Sequence, residues 1–366
     1  MRTTFLSLKS LDWILILTAV LLVSFGLLSI YSSSLSKGDF LNFKKQVIFF
    51  ALGLFLMFIF SFLDWRIFRD SPYLILVLYT SCLILLIGLF FFAPQIRGVK
   101  SWYKLGPVSF DPVELTKIVL IILLAKYFSK RHIEMYRVIH ILLSGFYIFL
   151  PVALIFPQPN LGSILILISL WVGILIVSGI KLRHFFILIL CFLLISILGW
   201  LFLLQDYQKA RILSFIQTQL EPLGIGWNQQ QAKIAIGSGG LLGEGFGKGS
   251  QTQYGFLPEP QTDFTFAAIA EEFGLVGVSI LLILFSVLIW RIIRIALLTS
   301  GNFPRIFASG FIVVLASQIL IHIGMNLGIL PIIGIPLPLL SYGGSNLITT
   351  FIGLGILQSI KKELRF

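Results

Sequence analysis

Ten stretches of about 15 to 25 apolar residues, spread along 366 residues, constrain this chain before anything else does. They fall at about 12–32, 46–63, 73–93, 112–128, 138–156, 162–180, 185–204, 266–290, 306–329 and 346–360. A helix of about 20 residues spans the hydrocarbon core of a bilayer, and in lipid every backbone polar group must be satisfied within the segment. The expected fold is an all-α integral membrane bundle of about ten transmembrane helices, a single polytopic domain over residues 1–366. Composition agrees, with 58% of residues hydrophobic and 11% charged, against about 25% charged in an ordinary soluble domain. One connection, residues 205–265, is long, and the other loops are short. No soluble catalytic domain fits into what remains, so any chemistry belongs to the bundle.

The net charge of +12 comes from 27 Lys and Arg against 15 Asp and Glu. Ten crossings put both termini on one side. Sixteen of the basic residues fall there and ten on the opposite side, with Lys117 inside the fourth span. The positive-inside rule then places both termini in the cytoplasm and the 205–265 loop outside. On so apolar a chain this charge orients the bundle, and no nucleic-acid partner is expected. Cys82 and Cys191 each lie inside an apolar run, which leaves no disulfide framework and no CxxC motif. No metal-ligand spacing appears either; no cofactor is expected, and a metal requirement stays open. The first span shows no cleavage-site pattern and reads as a retained anchor.

Outer-side carboxylates are few, and Asp263 is the most informative. It stands where the long loop runs into the eighth span, either as a helix N-cap or as a carboxylate able to take a proton from a hydroxyl. Glu271 and Glu272 follow about 12 to 13 Å further along by helical rise and point to different faces, so one of them is expected to have a structural partner. Asp111-Pro112-Val113-Glu114 opens the fourth span as a capping sequence, with Lys117 one turn on. Glu114 and Lys117 read as an intrahelical pair, or as a site for an anionic head group extended by Arg97, Lys100 and Trp102. The glycine-rich run at 237–249, with Ser238 and Gly239 at its start, fits no nucleotide motif and reads as a flexible hairpin or an anion nest. The segment from Pro331 to Ser345, which includes Ser341, is apolar yet full of helix breakers, as expected of a re-entrant loop. His322, inside the ninth span, reads as a satisfied core histidine.

Several of these segments together resemble the SEDS family of polytopic cell-wall proteins, the RodA branch more than FtsW. The resemblance rests on GVKSWYKLG at 98–106, DPVELTKI at 111–118, QPNLGS at 158–163, DYQKAR at 206–211, GIGWNQQQAKIAIGSGGLLGEG at 224–245, GSQTQYGFLPEPQTDFTFAAIAEE at 249–272 and LPLLSYGGS at 337–345. It implies a peptidoglycan glycosyltransferase of the bacterial cytoplasmic membrane. Such an enzyme polymerises lipid II into a growing glycan strand on the outer face during elongation. It works with a class B penicillin-binding protein and other membrane proteins of the elongation complex. It also implies that Asp263 is the essential aspartate. Two departures stand out: Asn160 replaces the family's QPDLGT aspartate, and Gln261 replaces the histidine of HTDFIF.

On that basis Lys117, Arg211, Lys233 and Arg97 are expected to place positive charge near the donor diphosphate. A partner contact is expected on the eighth and ninth spans, around Gly274, Gly277, Ser309 and Gly310. A lipid flippase using Glu271, Glu272 and the re-entrant loop is the alternative from another class; a septal polymerase is the alternative within the family.

Overall fold

The computed structural model describes residues 10–36, 38–94, 101–106, 108–130, 138–158, 160–203, 209 and 225–363. Among them, ten helices of 17 residues or more fall on the ten expected runs. They are α1 (Trp13–Leu35), α2 (Leu41–Phe62), α4 (Pro72–Phe92), α5 (Pro112–Ser129), α6 (Val138–Ile155), α7 (Leu161–Val177), α8 (Leu182–Leu198), α11 (Thr265–Leu298), α12 (Asn302–Leu327) and α13 (Gly344–Lys361). Three short helices lie between them: α3 (Arg66–Asp70), α9 (Ile225–Ser238) and α10 (Ser250–Gln253). Their starts follow from the sequence. Asp12 caps α1 by accepting from Leu15 N at 3.1 Å, Asp111 caps α5 by accepting from Val113 N at 2.9 Å, and α4 and α5 both begin with proline.

Seven described helices are long and apolar enough to cross a membrane on length and composition alone: α1, α2, α4, α6, α8 with its continuation to Phe202, α11 and α12. The other three differ for physical reasons. The α7 helix has only 17 residues, while α5 and α13 are buried along most of their length and carry polar groups that find protein partners. The core is built by α12 packing on α5, α7 and α11, by α13 on α2, and by α1 on α11. Phe303, Phe307 and Phe311 stack one turn apart down α12, with centroid separations of 6.4 and 6.5 Å. In contrast, α8 buries none of its apolar window.

Two features were not expected from the sequence. Tyr103–Leu105 (β1) and Val108–Phe110 (β2) form an antiparallel hairpin pinned to α4 by the Tyr103 hydroxyl, which donates to Leu85 O at 2.6 Å. An apolar groove of about 460 Å³ lies between them, lined by Ile84, Leu85, Gly88, Phe92, Tyr103 and Phe110, and Asp263 is not part of it. The second feature is a break in α11 at Gly274, where φ 62° and ψ −162° interrupt the helix. The glycine-rich run closes this break. Glu244 N and Gly245 N donate to Glu271 O and Glu272 O at 2.9 and 3.1 Å, while Leu275 N and Val276 N donate to Gly240 O and Leu241 O at 2.9 and 3.1 Å. The run is tied to the interrupted helix by these four bonds, and the Gly247 backbone also bonds the Glu272 carboxylate.

The segment between α12 and α13 is irregular and enters the bundle. Ile335, Leu337, Leu339 and Leu340 are buried, and Leu340 backbone lies against Gly26 of α1. Gly26 stands nine residues before the end of α1, about 13 Å down the helix. The two ends of the bundle meet on one face: Asp12 N donates to Gln358 Oε1 at 2.8 Å, and Lys361 donates to Ser10 O at 2.9 Å.

Candidate functional site

Asp263 sits half-buried on a turn just before α11, and three elements grip that turn. From the re-entrant segment, Tyr342 N donates to Gln261 O at 2.7 Å and the Ser341 hydroxyl lies 2.8 Å from Thr262 O and 3.0 Å from Thr265 Oγ1. From the first two helices, Gln261 donates to Ser34 Oγ at 3.2 Å and accepts from Asn42 at 2.8 Å. From α12, Asn326 donates to Asp263 O at 3.0 Å and accepts from Ala267 N at 3.1 Å. The helix α11 begins at Thr265 with Phe264 at its cap position, where the Phe264 side chain makes no capping bond, and Ala267 N in the first turn is taken by Asn326. The Asp263 carboxylate faces the re-entrant segment, where a Cβ built on Gly334 would stand 4.0 Å from both of its oxygens.

A second polar cluster lies at the start of α5. Lys117 Nζ is 2.7 Å from Glu114 Oε2, both side chains are buried, and Asn346 donates to the same oxygen at 2.9 Å. Asp111 N donates to Ser345 Oγ at 2.9 Å. Burial, followed by the neighbouring Glu114 charge, pushes the Asp111 carboxyl up to about 7. One short motif joins the clusters, since Ser341 holds the Asp263 turn while Ser345 and Asn346 hold Asp111 and Glu114. Ser341 and Asn346 are five residues apart, at most about 18 Å of chain.

The remaining expected residues are placed less centrally. Ser341 is buried, and its hydroxyl is taken up by Leu337 N and the Asp263 turn, so here it works as a clamp. Lys233 lies across Gly328 at the C-terminal end of α12, where a cation meets the negative end of the helix dipole. Trp102 is half-buried just before β1, Ser238 is exposed at the end of α9, and Gly239 packs on the Ala270 carbonyl. Arg97, Lys100 and Arg211 lie outside the described residues. Asn160 caps α7, accepting from Ser163 N at 3.2 Å, a task that needs no negative charge.

Both glutamates of α11 have partners, where the sequence led us to expect one. Glu271 accepts from Gln251 N, Thr252 N and the Thr252 hydroxyl at 2.5, 3.1 and 2.6 Å, and Glu272 accepts from Ser32. Of the small residues expected at a partner contact, Ser309 is half-buried and the three glycines turn inward. Gly274 forms the helix break, Gly277 sits beneath Phe273, and Gly310 packs on Ile174, Ile121 and Leu170. Asn326 is the residue that sequence reasoning missed. It stands 63 positions from Asp263, and an Asn inside an apolar helix gives no local sign of its target.

A family model described as a cell cycle protein, FtsW/RodA/SpoVE, matches residues 12–366. The chain is 36% identical over 360 residues to the peptidoglycan glycosyltransferase MrdB of Escherichia coli (strain K12), covering 98% of this chain and 95% of that protein. It is 34% identical to the stage V sporulation protein E of Bacillus subtilis (strain 168), covering 97% and 98%. Among solved structures, it matches with TM-score 0.83 and 32% identity a chain from work on the structural coordination of polymerization and crosslinking by a peptidoglycan synthase complex, covering 96% and 98%. The rod shape determining protein RodA of Thermus thermophilus matches with TM-score 0.70 and 30% identity, covering 97% of each chain.

Proposed function

This chain belongs to the FtsW/RodA/SpoVE family and is a RodA-like, multi-pass peptidoglycan glycosyltransferase, and from that premise we propose how it joins lipid II units. The 4-hydroxyl of the acceptor sugar attacks the anomeric carbon of the donor with inversion. The new glycosidic bond forms as the bond to the polyprenyl diphosphate breaks. Asp263 takes the hydroxyl proton, a role that contributes about 10² to 10⁴ in rate. One observation carries this reading: the carboxylate rides on a turn held from three sides and faces the re-entrant segment. Purified Asp263→Asn with its partner is expected to lose polymer formation from lipid II by at least 100-fold, and polymerisation at the wild-type rate would refute the assignment.

Lys117, with Arg97, Arg211 and Lys233, supplies positive charge on the donor side. Support comes from the motif that ties the Lys117–Glu114 cluster to the Asp263 turn. Lys117→Ala strands Glu114 and lowers stability, so turnover is read per folded molecule, where it should also fall; unchanged turnover per folded molecule would leave Lys117 as the structural partner of Glu114. The partner is a class B penicillin-binding protein, which supplies crosslinking. The structural neighbour from a synthase complex that coordinates polymerization with crosslinking supports it. The contact then uses lipid-facing side chains of α11 and α12, such as Ile283 and Leu320, since the glycines point inward. The excess of Lys and Arg on the side of the termini supports a bacterial cytoplasmic membrane protein with both termini in the cytoplasm, and the joined ends of α1 and α13 support both lying on one side. A flippase is not favoured, because Glu271 and Glu272 are engaged by the loop and by α1.

A further inference from the structure

Asp263 has walls on two sides, and the last turns of α12 reach both. On one side is its own turn. Asn326 is fully buried, and both polar ends of its carboxamide are engaged: Nδ2 donates to Asp263 O at 3.0 Å and to His322 O at 2.8 Å, while Oδ1 accepts from Ala267 N at 3.1 Å. On the other side is the re-entrant segment. His322, also fully buried, places Nδ1 2.8 Å from Ile335 O. A carbonyl only accepts, so Nδ1 carries the proton and donates. Ile335 follows Gly334, whose φ is +72° and whose Cα side faces the carboxylate, since a Cβ there would stand 4.0 Å from both of its oxygens. Among the described residues the ring's hydrogen bond is the one from Nδ1 to Ile335.

We propose that Asn326 and His322 are positioning residues for Asp263. Asn326 fixes the turn that carries the carboxylate, and His322 fixes the segment that faces it. The proposal rests on Asp263 being the catalytic base. Both side chains act on backbone carbonyls next to the reacting group, and a displacement of about 1 Å at such a site costs on the order of 10²-fold in rate. Binding of lipid II depends on other contacts, so the loss belongs in kcat. The cap on Ala267 N and the clamp on Asp263 O use opposite ends of one carboxamide, which lets substitutions separate them. Asn326→Asp keeps the acceptor and removes the donor.

The test uses the full-length chain purified with its partner, steady-state polymerisation of lipid II, and a thermal midpoint for each variant. Asn326→Ala and Asn326→Asp are expected to lower kcat by about 10- to 100-fold with KM within about twofold of wild type. His322→Ala should lose a similar factor. His322→Asn, which keeps a donor near the Nδ1 position, should recover most of it. If the Asn326 variants do not fold, the two His322 variants carry the test. Wild-type kcat in both alanine variants, a loss confined to KM, or a loss equal to the fraction unfolded would overturn the proposal. Asp263→Asn in the same assay separates the failures. If it is inactive while Asn326→Ala and His322→Ala are normal, only the positioning role falls. If it is fully active, the base assignment falls and takes the positioning role with it.

Discussion

At the residue scale, a buried ammonium persists only beside its counter-charge, and Lys117 shows what this demands. Its side chain is 3% exposed and 2.7 Å from Glu114, whose bound oxygen also accepts from Asn346. Removing one member of such a pair strands the other, which costs about 3 to 5 kcal/mol. Glu114→Ala should therefore lower the thermal midpoint in detergent far more than the paired change of Glu114→Gln with Lys117→Met, which leaves no charge behind. Equal losses in the two would show that the cluster is stabilised by packing alone. This pair was legible in the sequence, because both members sit on one helix three residues apart. Asn346, Ser345 and Asn326 were not, since each meets its target across more than 60 positions of chain.

At the scale of elements, two helix starts carry predictions. In α11, Gly274 holds a φ,ψ combination open essentially to glycine, and a Cβ there would meet Leu241 O at 2.6 Å. Gly274→Ala should destabilise the protein by about 1 to 3 kcal/mol or more, measured as a lower thermal midpoint. A neutral outcome would mean that the break survives without glycine. At the start of α5, the raised Asp111 gives a pH dependence. The unfolded chain releases this proton near pH 3.9, whereas the folded chain keeps it to about 7. Between those values the folded state binds more protons, so stability falls as pH rises through the window and levels off above it. The thermal midpoint of Asp111→Asn should change less with pH over that window than wild type does; parallel curves would assign the dependence to another group. Hydrophobic periodicity located all ten long helices, yet it read the start of α11 as unbroken and missed the β1–β2 hairpin. Both depend on backbone partners distant in sequence, on which apolar spacing is silent.

At the scale of the molecule, one latch joins the beginning, the middle and the end of the chain. Asp12 accepts from Arg291 of α11 at 2.9 and 2.5 Å, while its backbone exchanges hydrogen bonds with Gln358 of α13. The Asp12 side chain is 1% exposed, so Arg291→Ala leaves a buried carboxylate without its main partner, at a cost of about 3 kcal/mol. The latch lies at the opposite face from Asp263. Thermal stability should fall while turnover per folded molecule stays near wild type, and a matching fall in turnover would reveal coupling between the two faces.

The closed break in α11 also bears on how the chain is made. After Gly274, the stretch Leu275–Leu298 has 24 residues, about 36 Å of helix, enough to cross a bilayer without the nine residues before the break. Synthesis proceeds from the N-terminus, so the glycine run at 239–245 emerges ahead of the carbonyls and amides that it will satisfy. The plug is on hand before the gap exists. A ribosome that delivered these segments in the reverse order would present an interrupted helix to lipid with four backbone groups unpaired.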